Sequence, residues 1–263
     1  MKKGIDVSYC QGSMNWDAVV QQGISFAFIK ASQGKLISDE TVGPFTDPKF
    51  SEHMIRASKT GIDIGVYHYL CAKNEGQAER EADYFVRRIT PWKKNINLWA
   101  VCDCEEDKYL PTTHEGMTSV VKTFCDYVKS AGFKPMLYSN PNYLKYKLYP
   151  EKLNLPLWLA YWGVKEELAK KYNPVIWQYG TEYVAGKRCD ANIGYYEDEK
   201  DTPIKAGDRV KVIRNVIYGT TKKFKVYFPA YDVLSVSGDR AVIGQGKVIT
   251  AAVNVGDIEK CDT

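Results

Sequence analysis

The feature that most constrains the fold is a regular alternation of short apolar runs with amphipathic segments across the first 195 residues. The apolar runs are rich in β-branched and aromatic residues, which favours strands, and several amphipathic segments end in Gly, which is typical of helix termination. Strands are predicted at residues 4–8, 25–32, 63–70, 98–105, 134–139, 156–162, 175–179 and 188–193. This order predicts an α/β fold, an irregular (β/α) barrel of the TIM type with few helices after residue 132.

Two carboxylates stand at the end of the fourth predicted strand, which reads Leu-Trp-Ala-Val-Cys-Asp-Cys-Glu over residues 98–105. Side chains alternate along a strand, so Asp103 and Glu105 point to the same face. Paired carboxylates in such a position are the usual equipment for glycoside hydrolysis, in which one of them is the general acid. The alternative is a pair of surface acids in an acidic loop that continues through residues 106 and 107.

Two further acids are expected beside this pair. Functional side chains of such barrels lie at the C-terminal ends of the strands, and Asp6 lies near the end of the first strand. Asp190 lies on the last strand, which must neighbour the first strand if the barrel closes. Four acids that converge on one mouth are harder to explain as surface residues than the pair alone, so this cluster predicts a hydrolytic site.

The composition changes after Tyr196. Residues 197–203 are polar and acidic and end in Pro, which predicts a linker. Short strand-like runs then follow at residues 209–213, 225–228, 232–236, 240–244 and 248–255, and they predict a small all-β barrel over residues 204–263. This region has ten Lys and Arg against six Asp and Glu, so it carries the whole net charge of +4. Either an anionic partner, such as nucleic acid or cell wall, or a merely solvated surface accounts for that charge.

Cysteine and histidine give no sign of a metal site or a disulfide framework. The seven Cys, at positions 10, 71, 102, 104, 125, 189 and 261, form no Cys-x-x-Cys motif, and the three His are scattered. We therefore expect neither a metal nor a cofactor. The chain also contains no apolar run near the roughly 20 residues that span a bilayer, and its N-terminus lacks the apolar region of a signal peptide.

Several short motifs occur in an order that is typical of a known family. They are Gly4-Ile-Asp-Val-Ser with Gln11-Gly12, Gly65-Val-Tyr-His-Tyr, Asp103-x-Glu105, Lys134-Pro-Met-Leu-Tyr-Ser, Pro156-Leu-Trp-Leu-Ala, Ile176-Trp-Gln-Tyr and Asp190-x-Asn192. With these motifs, residues 4–195 resemble glycoside hydrolase family 25, the Chalaropsis-type lysozymes of many phage endolysins and bacterial autolysins. The tail, above all residues 231–255, resembles bacterial Src-homology-3-like wall-binding domains. The resemblance implies hydrolysis of the β-1,4 bond between N-acetylmuramic acid and N-acetylglucosamine in peptidoglycan.

The resemblance also implies roles for individual residues. Glu105 corresponds to the proton donor, Asp103 to the acid that positions or stabilises the reacting centre, and Asp6 and Asp190 to supporting acids. Substrate contacts are expected from Tyr67, Tyr69, Tyr138, Trp162, Trp177, Gln178 and Asn192.

The spacing of the central pair bears on the stereochemistry of the reaction. Asp103 and Glu105 are neighbours on one strand, about 6.6–6.8 Å apart at Cα, and are poorly placed to flank a sugar ring. We therefore expect the substrate's 2-acetamido oxygen to be the nucleophile, with Asp103 orienting that group and with net retention of configuration.

The expected partner is bacterial peptidoglycan, with wall binding by the tail and without nucleic-acid binding or membrane insertion. We expect synthesis in the host bacterial cytoplasm without a signal peptide and action on the wall after release at lysis. Two other functions fit the same fold: a non-catalytic peptidoglycan-binding protein, and a glycosidase that cleaves chitin.

Overall fold

Eight strands of the first 196 residues close into one barrel, the fold class predicted from the sequence. The computed structural model describes residues 1–34, 43–105, 110–197 and 203–261. The barrel strands are β1 (Lys2–Val7), β2 (Phe26–Gln33), β4 (Asp63–Tyr69), β5 (Ala100–Asp103), β6 (Pro135–Ser139), β7 (Leu157–Ala160), β8 (Ile176–Val184) and β9 (Lys187–Gly194), while the short β3 (Phe45–Thr46) pairs with the edge of β2. Residues 1–196 and 197–263 form separate compact units.

The barrel is irregular at the point where it closes. The seven strands from β1 round to β8 run parallel to one another, whereas β9 lies between β8 and β1 and is antiparallel to both. In this register Asp6 of β1 lies directly opposite Asp190 of β9. The neighbours that the sequence predicted for the first and last strands are thus in place, and two acids face each other across the closure.

Helices cover the outside of the barrel. They are α1 (Trp16–Gln21), α2 (Phe50–Ala57), α3 (Glu75–Ile89), α4 (His114–Ser130), α5 (Pro141–Tyr146), α6 (Pro150–Leu153) and α7 (Glu166–Lys170). The two long helices start at side-chain caps, since Asn74 accepts from the third residue of α3 and Thr113 does the same for α4. None of the helices within the described ranges is long and apolar enough to cross a membrane.

The inside of the barrel is filled by large rings. Phe28 of β2 stacks on Trp158 of β7 with ring centroids 4.3 Å apart, and Tyr138 of β6 meets the same indole edge-on at 4.6 Å. Glycines make room for these rings: a Cβ on Gly65 would lie 2.2 Å from the Phe28 ring, and one on Gly4 would lie 2.3 Å from Phe26. The large residues and the glycines are therefore matched across neighbouring strands.

The second unit is an antiparallel sheet. Its strands are β10 (Arg209–Val212), β11 (Tyr231–Ser237), β12 (Arg240–Gln245), β13 (Val248–Asn254) and β14 (Ile258–Lys260), in the spatial order β13-β12-β11-β10-β14. Its own core is built around the fully buried Tyr231, Ile243 and Val253. This small all-β unit agrees with the all-β region predicted after the linker.

Three local predictions were wrong. Strand β5 ends at Asp103, so Glu105 lies just beyond the strand. The sequence analysis missed α5 and α6, although each has Pro in its first turn and α5 is capped by Asn140. Residues 225–228 form no strand, because the Tyr231 hydroxyl accepts from the backbone N–H groups of residues 227 and 228 and holds this segment away from the sheet.

Candidate active site

A cleft of 480 Å³ opens at the C-terminal ends of β5 to β8. It is lined by Glu105, Tyr138, Asn140, Pro141, Asn142, Ala160, Tyr161, Trp162 and Gln178. Four of the predicted site residues, Glu105, Tyr138, Trp162 and Gln178, therefore share one cavity. Glu105 is exposed there, because the chain has left the strand and no longer packs inside the barrel.

Asp6 is the centre of a buried hydrogen-bond network beside this cleft. Its Oδ2 atom accepts from Gln178 Nε2 at 3.0 Å and from Asn192 Nδ2 at 2.8 Å. The Gln178 oxygen accepts in turn from the Tyr138 hydroxyl at 3.0 Å and from Trp162 Nε1 at 2.8 Å. One glutamine thus links a buried carboxyl to two rings of the cleft wall.

The tryptophans fix the orientation of both amides. An indole N–H can only donate, so the atoms facing Trp162 and Trp158 must be the amide oxygens of Gln178 and Asn192. Each amide nitrogen must then donate to Asp6. The Oδ2 atom of Asp6 is therefore an acceptor, and any proton that Asp6 carries lies on its other oxygen.

Burial and a facing acid perturb the ionisation of Asp6. Burial raises the pKa of Asp6 to about 7, and the negative charge of Asp190 opposite adds to the effect. The two amide hydrogen bonds act in the opposite direction, since they stabilise the carboxylate. Burial also raises the pKa of Asp190, while the Arg188 guanidinium lowers it. The facing pair therefore retains a proton to higher pH than two exposed acids would.

Asp103 lies at the last position of β5 and is buried. Burial raises the pKa of Asp103 well above its usual range, the Glu105 carboxylate raises it further, and the Lys30 ammonium opposes both. Its Oδ1 atom has no hydrogen-bond partner within the described ranges. A buried oxygen of this kind is costly unless a ligand or a proton satisfies it, so Asp103 is a candidate for direct contact with a substrate.

The two predicted tyrosines of β4 lie at this end of the barrel. Tyr67 packs edge-on against Trp158 at 6.1 Å, and burial together with the charges of Asp6 and Asp103 raises its phenol pKa well above the usual value. Tyr69 lies opposite Asp103 in the strand register, and the Lys30 ammonium lies 5.0 Å from the centre of its ring. Both rings border the acids rather than the open cleft described above.

Trp177 does not belong to the site, contrary to the prediction. It packs on the outer face of the barrel with Leu159 and with Ala169 of α7, and its indole N–H donates to the Tyr161 carbonyl. The physical reason is strand alternation: Gln178 points inward on β8, so its neighbour must point outward. Asn192 was predicted to contact the substrate, but it supports Asp6 from inside the barrel instead. It is fully buried, and its amide is held by Asp6 and Trp158.

Sequence reasoning missed two residues that matter here. Lys30 supplies a positive charge near Asp103, and Trp158 fixes the Asn192 amide while it packs against three other rings. A signal for Lys30 was present, since the run Phe-Ala-Phe-Ile-Lys places it on the same strand face as two inward phenylalanines.

Comparison with known proteins relates this geometry to a family. The model of glycosyl hydrolases family 25 matches residues 5–187. The chain is 31% identical over 164 residues to an autolytic lysozyme of Clostridium acetobutylicum, covering 62% of this chain and 46% of that protein. It is 28% identical over 202 residues to lysozyme M1 of Streptomyces globisporus, covering 72% and 66% respectively. The chain thus spans about half to two thirds of the length of these curated relatives.

A solved structure of the same family has a similar fold. A family 25 glycosyl hydrolase from Bacillus anthracis is 27% identical and superposes with a TM-score of 0.62, over 76% of this chain and 91% of that one. The family match covers most of the barrel unit, including Asp6, Asp103 and Glu105. Residues 5–187, and with them this chain, belong to glycosyl hydrolases family 25.

Proposed function

We propose that this protein is a lysozyme that hydrolyses the β-1,4 bond between N-acetylmuramic acid and N-acetylglucosamine in bacterial peptidoglycan. One observation carries the proposal: an exposed glutamate lines the cleft two residues beyond a buried aspartate whose Oδ1 atom has no hydrogen-bond partner among the described residues. The names of the relatives support the same substrate, since they include an autolytic lysozyme and an N,O-diacetylmuramidase.

In this proposal the two acids divide the chemistry. Glu105 donates a proton to the leaving oxygen, for which its place on the cleft wall is suitable. Asp103 accepts the N–H of the substrate's 2-acetamido group through its unsatisfied oxygen, so that the acetamido oxygen attacks the anomeric carbon. Water then opens the resulting ring with Glu105 as the base, and the product retains its configuration. Asp6 acts indirectly, by holding Gln178 and the rings attached to it, and Asp190 supports it from the opposite strand.

We further propose that residues 204–263 are a Src-homology-3-like domain that binds the wall and that residues 197–203 link it to the barrel. Its five-stranded antiparallel sheet around a separate core supports this role. In this proposal the protein is made in the host cytoplasm and meets its substrate at lysis.

The test is a single substitution at the proposed acid. Glu105→Gln keeps the size of the side chain but removes the proton donor, so reducing-end release from purified walls should fall by at least about 10²-fold. Glu79→Gln, at an exposed position of α3, is the matched control and should leave the rate unchanged. A Glu105→Gln protein that clears walls near the parent rate would exclude this assignment.

The substrate is tested with the same assay. Purified walls should release reducing ends, whereas chitin should release few. Preferential cleavage of chitin would indicate a different glycosidase, and binding to walls without cleavage of either polymer would indicate a non-catalytic binding protein.

A further inference from the structure

Among the described residues of the second unit, some Lys and Arg side chains form ion pairs with acids and others do not. Each acid from residue 203 to residue 261 is already engaged: four form ion pairs with Lys or Arg, and Asp239 accepts from Tyr218 and Asn254. These pairs engage Arg209, Lys211, Arg214 and Lys260. Within the described part of the unit, no carboxylate pairs with Lys222, Lys223, Lys225 or Lys247, and all four side chains are exposed.

These lysines lie in two stretches of sequence that contain no acidic residue. Residues 209–231 contain six Lys and Arg but no Asp or Glu, and residues 240–256 also lack acids. Cations in either stretch can therefore pair only with acids from other segments, as Arg209, Lys211 and Arg214 do. An excess of one charge sign on a single surface raises the local concentration of oppositely charged partners.

Exposed rings lie on the same stretch of chain. Tyr227 is 64% exposed and Phe228 is 44% exposed, although large apolar side chains of a small domain are usually buried. Their positions are nevertheless fixed, because both backbone N–H groups donate to the hydroxyl of the buried Tyr231. The Lys225 ammonium lies 5.3 Å from the centre of the Tyr227 ring. These exposed rings are therefore held in place by the core of the unit.

The turn between β12 and β13 lies close to the segment that carries the exposed rings. Gln245 donates to the carbonyl of residue 230, and the N–H of Gly246 donates to Asp232. The turn that carries Lys247 therefore lies beside the start of β11, next to the segment with the rings. We call Lys222, Lys223, Lys225, Tyr227, Phe228 and Lys247 the basic aromatic patch.

We propose that the basic aromatic patch binds an anionic wall glycopolymer through its phosphodiester groups, an inference that rests on the proposed function. Lysine ammonium groups only donate and bind phosphate as point charges, and the patch offers several along one run of chain. Tyr and Phe faces suit the apolar faces of sugar or polyol units between the phosphates. A repeating polyanion fits this spread of cations better than a single charged headgroup or a wall peptide that carries its own amines.

The test measures binding of the full-length protein to purified walls by brief sedimentation on ice. Walls that carry phosphodiester-linked glycopolymers are compared with the same walls after hydrofluoric acid has removed those polymers. A lysine close to an anionic surface contributes roughly fivefold in affinity, so K222Q/K223Q/K225Q should weaken binding to native walls by at least about tenfold. The triple variant and the parent should bind equally to stripped walls.

Two further variants sharpen the result. K59Q/K129Q/K171Q removes the same charge from exposed positions of the barrel unit and should bind like the parent. Y227A/F228A leaves the backbone bonds to Tyr231 intact and should weaken binding to native walls. Circular dichroism of each variant checks that it is folded.

The outcomes separate this inference from the proposed function. Equal binding of the parent to native and stripped walls would overturn the inference and indicate a peptidoglycan ligand. Stronger binding to phosphatidylglycerol vesicles than to walls would overturn it in favour of a lipid surface. Reducing-end release is measured on both wall preparations: binding to native walls without any release would contradict the proposed function alone.

Discussion

At the scale of single residues, Asp103 joins two properties that rarely occur together, burial and an oxygen without a hydrogen-bond partner in the part of the chain that the structure describes. If this oxygen accepts the acetamido N–H, Asp103→Asn should lower kcat by about 10²–10³-fold, the usual effect of removing one stabilising group at a reacting centre. The thermal midpoint should not fall, because asparagine has the same shape and no charge to bury. Wall hydrolysis and thermal unfolding of the purified variant check both parts.

The stereochemistry offers an independent check on the role of Asp103. Acetamido participation requires a first-formed β-anomer and requires the N-acetyl group of muramic acid. NMR of early products and assays on de-N-acetylated glycan measure these properties. A first-formed α-anomer, or equal cleavage of the two glycans, would contradict this role for Asp103.

Asp6 gives a prediction about pH and stability. Its pKa is about 7 in the folded protein and near 3.9 when unfolded, so between these values the folded state holds a proton that the unfolded state lacks. The contribution of Asp6 to the free energy of unfolding should therefore be fully present below about pH 4 and should be lost as the pH rises towards 7.

Asp6→Asn should abolish this contribution, since it retains an oxygen for Gln178 and Asn192 but cannot ionise. The parent should lose stability relative to the variant between about pH 4.5 and 7.5, by up to about 1.4 kcal/mol per pH unit. Thermal unfolding at several pH values measures the difference, with the exposed Asp17→Asn as control. A constant difference across this range would show that Asp6 does not titrate there.

At the scale of strands and helices, the inner face of β4 controls the packing behind the site. A Cβ on Gly65 would lie 2.2 Å from the buried Phe28 ring, which stacks on Trp158, and Trp158 orients the amide that holds Asp6. Gly65→Ala should destabilise the protein by about 1–3 kcal/mol, the usual cost of overpacking, and should also lower activity. Urea unfolding and wall hydrolysis measure the two effects. Gly43→Ala is the control, because a Cβ at that position would have no described atom within 4 Å. Equal stability of the two variants would contradict this packing argument.

Much of the barrel and its acid cluster could be predicted from the sequence, because both follow from local rules. Period-two alternation places Asp103 at the inner end of β5, and barrel closure brings β9 beside β1, so that Asp190 meets Asp6. Alternation does not place Glu105, because the strand ends before it. The same alternation places Trp177 on the outer face once Gln178 is inside, which the motif alone does not indicate.

Other features depend on tertiary contacts that a sequence pattern does not contain. Residues 225–228 have strong strand propensity, yet a hydroxyl from the core of the unit captures their backbone N–H groups. The effect of the Lys30 charge on the pKa of Asp103 depends on the neighbours that β2 acquires on closure of the barrel. Likewise, the amide orientations around Asp6 are set by two indoles that lie far from it in the chain.

At the scale of the whole molecule, catalysis and attachment are assigned to separate units. A chain of residues 1–196 should cleave soluble glycan fragments at the parent rate, because the cleft and the acid cluster lie within it. On whole walls it should be slower, since it lacks the proposed wall attachment that would raise the effective concentration at the surface. Kinetics on both substrates test this division. An equal loss of rate on soluble glycan would show that the tail supports the barrel instead.

The antiparallel strand that closes the barrel has a consequence for biosynthesis. Asp6 leaves the ribosome well before Asn192, which holds its carboxylate and is 186 positions further along the chain. Until residues 187–194 have been translated and paired, Asp6 lacks its neighbour strand β9 and the amide of Asn192. A nascent or prematurely terminated chain therefore contains Asp103 and Glu105 in an open, incomplete site. Under the proposed function, activity therefore requires translation of the whole barrel unit.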